Sequence, residues 1–379
     1  MFFAGVAELV DAGDSKSPDF IIMGVQVPPP VPLLIFNFMK LEEFNFKLPA
    51  ELIAKDPLEE RSSSQLMILE PTFHTVEFKN IIDLLNPQDV VVINDTKVIK
   101  ARALGNKPTG SNVEIFLERI TSKFIAQVQT RSNSAIKESD LVILKEGVEA
   151  VCLGNQGNLK IMKFSSPVRE YFTNFGKVPL PPYIKRKENP SDIDNYQTVY
   201  ADPSKEESVA APTAGLHFDE KLLSRIEEKG ISIAKVTLHV GMGTFSPIRS
   251  EDLENHNLHS ERIEIEQEEV EKIYASKKKG GRVVCIGTTS LRCLEGITNK
   301  FKGKLKPYSG ETNIFIKPGY NFNLADCLVT NFHLPKSSLF LLVSAFSGSK
   351  NIIAAYEWAI KKRYRFYSYG DAMFLNIKR

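Results

Sequence analysis

The chain is short of the residues that build secreted, metal-centred or membrane proteins. Its four cysteines (Cys152, Cys285, Cys293 and Cys327) form no C-x-x-C pair, so reduced structural thiols are expected rather than a disulfide framework. No apolar run approaches the ~18 residues that a membrane helix needs. The sequence has no G-x-x-x-x-G-K-[ST], no G-x-G-x-x-G after a strand and no H-E-x-x-H, which argues against a P-loop ATPase, a standard dinucleotide oxidoreductase and a zincin. Charge of neither sign dominates: 48 Lys and Arg face 46 Asp and Glu, a net +2, so any nucleic-acid partner must be read from local patches. The opening MFFAGVAELVDAGDSKS lacks a basic segment and interrupts its apolar stretch with acids, unlike a signal or transit peptide. A cytoplasmic protein is expected.

The 379 residues exceed the ~100–200 typical of one domain, so two domains are expected. With 42% apolar and 25% charged residues the chain should fold into a globular protein. Residues 1–38 stand apart, holding five of the 21 prolines and one Lys against four acids; the remaining 341 residues therefore carry +5. GVAELVDA and VQVP back-translate to DNA like the D-arm and T-arm of a tRNA gene. The expectation is a non-native or disordered extension, with the natural start at Met39.

From Met39, FNFKLPAELIAKDPLEE suggests a short helical stretch cut by Pro57, and the apolar run from Leu66 to Leu69 a strand. DVVVINDT is a continuous β-branched run ending in polar Asn94, Asp95 and Thr96, the pattern of a strand covered on both faces with a ligand rim at its end. Between about 101 and 177 the texture changes to short alternating segments (VEIFLER, FIAQVQT, LVILKEG, LKIMKF) at intervals of roughly ten residues, which points to a small antiparallel barrel. Helix and strand patterns then resume, with Asp219 as an N-cap and Gly230 as a stop. The expected fold is an α/β domain (39–100 and 178–379) with an inserted antiparallel β-barrel domain (101–177).

Polar and glycine clusters fall at the strand ends. AAPTAGLHF carries Thr213, Gly215 and His217, where glycine allows close backbone approach to a ligand or simply forms a rigid turn. TLHVGMGTF carries His239, facing opposite to Leu238 and Val240, with Gly241 and Gly243 beyond it. ENHNLHSER sets His256 three residues from His259 beside Glu261, without a convincing ligand set for a metal. VVCIGTTSLR brings Thr288, Thr289 and Ser290 to the mouth of a helix, a place for a carboxylate or phosphate or for ordinary capping. TNFHLPKSS adds Asn331, His333 and Lys336. Near the C-terminus KKRYRFYSYGDAM interleaves cations with aromatics, suiting phosphate contact with base stacking or a decorated helix end. Five of the six histidines lie between His217 and His333, which suggests one crowded polar site.

Taken in order, VPLPPYIKR, YQTVYA, AAPTAGLHF, TLHVGMGTF, HNLHSE, GTTSLRCLE, TNFHLPKSSL and YRFYSYGDAM closely resemble the S-adenosylmethionine:tRNA ribosyltransferase-isomerases of queuosine biosynthesis. The resemblance runs from about Met39 to the C-terminus. It implies an α/β domain with an inserted β-barrel, S-adenosylmethionine as ribosyl-donating co-substrate with no metal, and a tRNA bearing 7-aminomethyl-7-deazaguanine at the wobble position. The implied product is epoxyqueuosine-tRNA, with adenine and methionine released. The sulfonium acidifies the C5′ hydrogens, so the enzyme needs a positioned base, and an acid helps adenine leave.

On this resemblance His217, His239, His259 and Glu261 are the expected acid, base or orienting groups. Asn94, Asp95, Thr213, Gly215, Gly241, Gly243, Thr288, Thr289, Ser290, Asn331 and His333 are expected to bind the co-substrate. Lys185, Arg186, Arg292, Lys336, Arg363, Arg365 and Tyr369 are expected to contact tRNA. The chain departs from the family at Glu311, where a tryptophan is usual, and at Cys293, where a threonine is usual. No membrane is implied and a monomer is expected. The competing possibility is a non-catalytic tRNA-binding module that kept the fold.

Overall fold

The computed structural model describes residues 40–70, 72–241, 248, 253 and 258–378. The expectations for 1–38, Gly243 and His256 lie outside the described residues. In chain order the strands are β1 (Gln65–Ile68), β2 (His74–Glu77), β3 (Val90–Asn94), β4 (Lys97–Val98), β5 (Arg102–Asn106), β6 (Asn112–Ser122), β7 (Ile125–Ser132), β8 (Leu141–Leu144), β9 (Glu149–Gln156) and β10 (Leu159–Phe164). They continue with β11 (Glu206–Ser208), β12 (Ser232–Leu238), β13 (Glu261–Ile265), β14 (Val283–Ile286), β15 (Tyr308–Thr312), β16 (Cys327–Asn331) and β17 (Ala372–Asn376). The helices are α1 (Val168–Phe175), α2 (Asp192–Asn195), α3 (Glu220–Glu228), α4 (Gln267–Lys278), α5 (Gly287–Lys300), α6 (Ser338–Ser347) and α7 (Ser349–Lys361).

Nine strands form one mixed sheet in the order β15-β13-β12-β3-β14-β16-β17-β1-β2, with β12, β3, β14 and β16 parallel at its centre. Successive residues of a strand face opposite sides, and both sides here are apolar. Val90 and Val92 join Cys285, Leu291, Leu294 and Phe340 on one face. Val91 and Ile93 join Ile286, Phe78, Leu222 and Ile226 on the other. This double cover explains why the central strands read as unbroken β-branched runs, and fully burying each such side chain contributes about 1.5–3 kcal/mol. Asp219 caps α3 by accepting the Leu222 amide at 2.7 Å, and Gly230 behind the helix takes φ +81°. The early segment forms short 3-10 turns at Leu41–Phe44 and Ala50–Leu52 rather than an α-helix, consistent with its prolines.

The alternating segments close into a six-stranded antiparallel barrel, β10-β7-β6-β5-β8-β9, around Ile115, Val128, Val142, Ala150 and Met162. Helix α1 plugs it with Val168, Tyr171 and Phe172. Entry and exit of this insertion are tied together, because Arg102 and Lys177 exchange backbone hydrogen bonds of 3.1 and 2.8 Å. Gly176 is needed there: a Cβ would lie 2.3 Å from the Lys100 carbonyl. Among the described residues no single helix is long and apolar enough to cross a membrane. The apolar pair α6 and α7 bends by 114° and buries Phe340, Leu341, Val343 and Ile352.

Candidate active site

The sheet edge and the barrel bound a cleft of about 1490 Å³. Leu117, Glu118, Arg119, Gln127 and Gln129 line it from the barrel, and Glu207, His239, Gly241, His259, Glu261, Arg262 and Arg292 from the α/β side. A drug-sized ligand site occupies ~300–1,000 Å³, so this cleft has room for a small molecule plus a nucleotide of a larger one.

His239 follows β12 directly, and the pleat that buries Leu238 and Val240 turns its ring into the cleft. The Thr96 hydroxyl meets its Nδ1 at 2.9 Å, and Glu207 lies 3.8 Å from Nε2. Burial pushes the pKa of His239 below the ordinary imidazole value, against the opposing pull of Glu207. The ring is therefore neutral at pH 7 and able to take a proton. His259 is exposed on the same cleft, while Glu261, buried at the start of β13, forms an ion pair with Arg292 from α5.

The structure does not gather all the histidines here. His217 is sealed in the core and is not part of the cleft wall: its Nδ1 is 2.7 Å from the Ser64 hydroxyl, its Nε2 3.1 Å from Asn331 Nδ2, and its ring stacks on Phe78 at 4.7 Å. Asn331 Nδ2 also donates to the Tyr367 carbonyl at 3.1 Å, which fixes the amide orientation. Nε2 of His217 must therefore accept, and the proton sits on Nδ1, donated to Ser64. His333 Nε2 pairs with Thr330 Oγ1 at 2.8 Å. Burial lowers both histidines to a pKa of about 3. Thr213, Asn331 and His333 line a second cavity of only about 40 Å³, too small for an adenosyl group. The single crowded site divides into an open cleft and a buried network.

Several expected ligand contacts are occupied by structural partners. The Asn94 amide gives and accepts 3.0 Å bonds with the Leu238 backbone and so clamps β3 to β12. Asp95 is held by Thr237 Oγ1 at 2.7 Å and Lys205 at 3.0 Å. Gly215 is small because a Cβ would meet the Tyr200 hydroxyl at 1.9 Å, and Ser290 bonds back to the Ile286 carbonyl at 2.7 Å. Thr288 and Thr289 are buried in the first turn of α5, away from the wall of either cavity.

The expected tRNA contacts also separate. Arg186 makes a bidentate fork to Asp192 at 2.7 Å and pairs with Asp56 at 2.7 Å, so its donors are engaged within the protein. Lys336 pairs with Glu42, and Arg365 donates to the Asp56 carbonyl. Tyr364, Phe366, Tyr367 and Tyr369 are buried, which corrects the base-stacking expectation: these rings pack the core. Lys185 and Arg363 are exposed. Sequence reasoning put Thr96 on a ligand rim without its link to His239, and missed Glu207 and Arg262 around that ring and the barrel wall at Glu118, Arg119 and Gln129. The barrel residues come within reach only when the insertion folds back over the sheet, more than 100 positions away in sequence. Among the described residues no three His, Cys, Asp or Glu side chains are placed to hold a metal ion.

The family model described as queuosine biosynthesis protein matches residues 41–375. An S-adenosylmethionine:tRNA ribosyltransferase-isomerase of Acinetobacter baumannii is 46% identical over 341 residues, covering 89% of this chain and 99% of its own length. The protein of the same name from Polynucleobacter asymbioticus is 47% identical over 355 residues, covering 90% and 100%. The crystal structure of an S-adenosylmethionine tRNA ribosyltransferase from Thermotoga maritima is 33% identical, covers 88% of this chain and 99% of that one, and superposes with a TM-score of 0.49.

Proposed function

The chain belongs to the queuosine biosynthesis protein family, and from that premise we propose that it is an S-adenosylmethionine:tRNA ribosyltransferase-isomerase working in the cleft between barrel and sheet. The observation that carries the placement is His239, a neutral imidazole in the wall of the 1490 Å³ cleft, oriented through Thr96. The co-substrate supplies a sulfonium that acidifies C5′ and a ribosyl group for transfer. His239 Nε2 takes a proton from C5′; Thr96 orients the neutral ring through Nδ1, and Glu207 beside Nε2 stabilises the imidazolium that forms. His259, exposed on the same wall, is the group placed to return a proton to departing adenine.

The acceptor is 7-aminomethyl-7-deazaguanine at the wobble position of a tRNA, entering from the open side of the cleft. Lys100, Lys160, Arg169 and Arg262 on the lining offer cations for its phosphates. The reading includes action as a monomer, and the tRNA substrate supports a cytoplasmic location. The sealed His217–Asn331 network positions the ends of β16 and the Thr213–His217 turn. Purified protein incubated with S-adenosylmethionine and the modified tRNA should release adenine and give a wobble nucleoside with the mass of epoxyqueuosine; binding of tRNA without either product would leave only a binding module.

A further inference from the structure

Arg292 is 4% exposed and lines the cleft, with Nη1 paired to Glu261. Its Nε and Nη2 are buried and have no hydrogen-bond partner. These two atoms share one edge of the planar guanidinium, and their N–H bonds point the same way, the geometry that holds a carboxylate or phosphate through two parallel bonds. Buried donors without partners are costly and uncommon in folded proteins. Two of them on one edge, in the wall of the reaction cleft, point to a ligand that completes them.

We infer that this edge of Arg292 is the anchor for the carboxylate at the methionine end of S-adenosylmethionine, an inference that rests on the activity proposed above. A carboxylate fits better than tRNA phosphate for two reasons. Nε and Nη2 lie closed to solvent within the wall, so a ligand completes them only by a small shift of the side chains over that edge, which admits a single terminal carboxylate but not a continuous phosphodiester chain. Glu261 neutralises its charge, so Arg292 projects little long-range field toward a polyanion but keeps a short-range directional fork. Arg292 thus moves from the tRNA contacts expected from sequence to the co-substrate subsite. It sets a fixed distance between the α-carboxylate and the sulfonium, and so decides which carbon faces His239.

The test compares the binding of S-adenosylmethionine and its decarboxylated form by calorimetry. It uses wild type, Arg292→Lys and the double variant Arg292→Gln/Glu261→Gln, which keeps the wall uncharged so that the fold is not left with a buried lone carboxylate. Wild type should prefer the carboxylated ligand by roughly 10- to 100-fold. In the double variant the preference should fall to within about twofold, with KM for tRNA unchanged; Arg292→Lys should fall between, because an ammonium lacks the fork. A preference retained in the double variant, with wild-type turnover normal, overturns the subsite. So does a raised KM for tRNA with a shallower salt dependence and an unchanged preference, which would assign the edge to phosphate. A lost preference in a protein whose wild type releases no adenine would overturn the activity while keeping the carboxylate subsite.

Discussion

His239 and His217 both end a strand-side motif and both have a lowered pKa, yet one lines an open cleft and the other is closed in core. At His239 a hydroxyl holds one nitrogen and the other lies 3.8 Å from Glu207 on the same wall of the cleft. At His217 both nitrogens are bonded, to Ser64 and Asn331, and Phe78 covers the ring. A depressed pKa alone therefore does not mark a base. What matters is whether a nitrogen lone pair remains reachable by substrate.

The largest expected effect separates the two directly. His239→Gln should lower kcat for adenine release by about 10²–10⁴-fold at unchanged Tm, as for loss of a general base. His217→Gln should lower stability by about 1–3 kcal/mol by disturbing a buried hydrogen-bond network, while the folded enzyme keeps its rate to within about tenfold. Equal losses of rate at unchanged Tm would break the distinction. Because the pKa of His239 is lowered, the acid limb of the wild-type kcat/KM profile should lie below the usual histidine value of about 6.5.

The sealed network has its own pH signature. His217 and His333 stay neutral in the folded protein down to about pH 3, whereas the unfolded chain protonates them near 6.5. Between those values the unfolded state binds more protons, so these groups leave stability untouched above about pH 6.5 and reduce it as pH falls. The slope is about 1.4 kcal/mol per pH unit for each histidine. Urea titrations at several pH values should show this slope, reduced in His333→Gln; an unchanged slope would mean that the site is not dry. The smallest effect belongs to the solvated side. Arg119 and Glu311 pair at 2.8 Å across the cleft rim with side-chain exposures of 59% and 46%. Glu311→Ala should change stability by under about 1 kcal/mol in thermal melts.

Much of the fold was legible because its signals are local. The unbroken Val90–Ile93 run, the alternation through the barrel strands and the Asp219 cap each report on residues a few positions apart. The site was legible only in part. His239 could be oriented from the pleat of its own strand. Nothing local distinguished the aromatics of YRFYSYGDAM as core packing, and nothing in Arg186 showed that Asp192 and Asp56 would take its donors.

The sequence by itself determined the family, the α/β texture broken by a barrel, and the chemistry available in its motifs, since these depend on residue type and order. Only the tertiary structure decided which polar groups stay reachable. Folding the insertion over the sheet set Glu118, Arg119 and Gln129 opposite His239 and Arg292. Packing β16 against the Thr213–His217 turn buried His217 and Asn331 away from that cleft. Solvent access and hydrogen-bond saturation depend on contacts between residues 100 or more positions apart, and no local pattern carries that information.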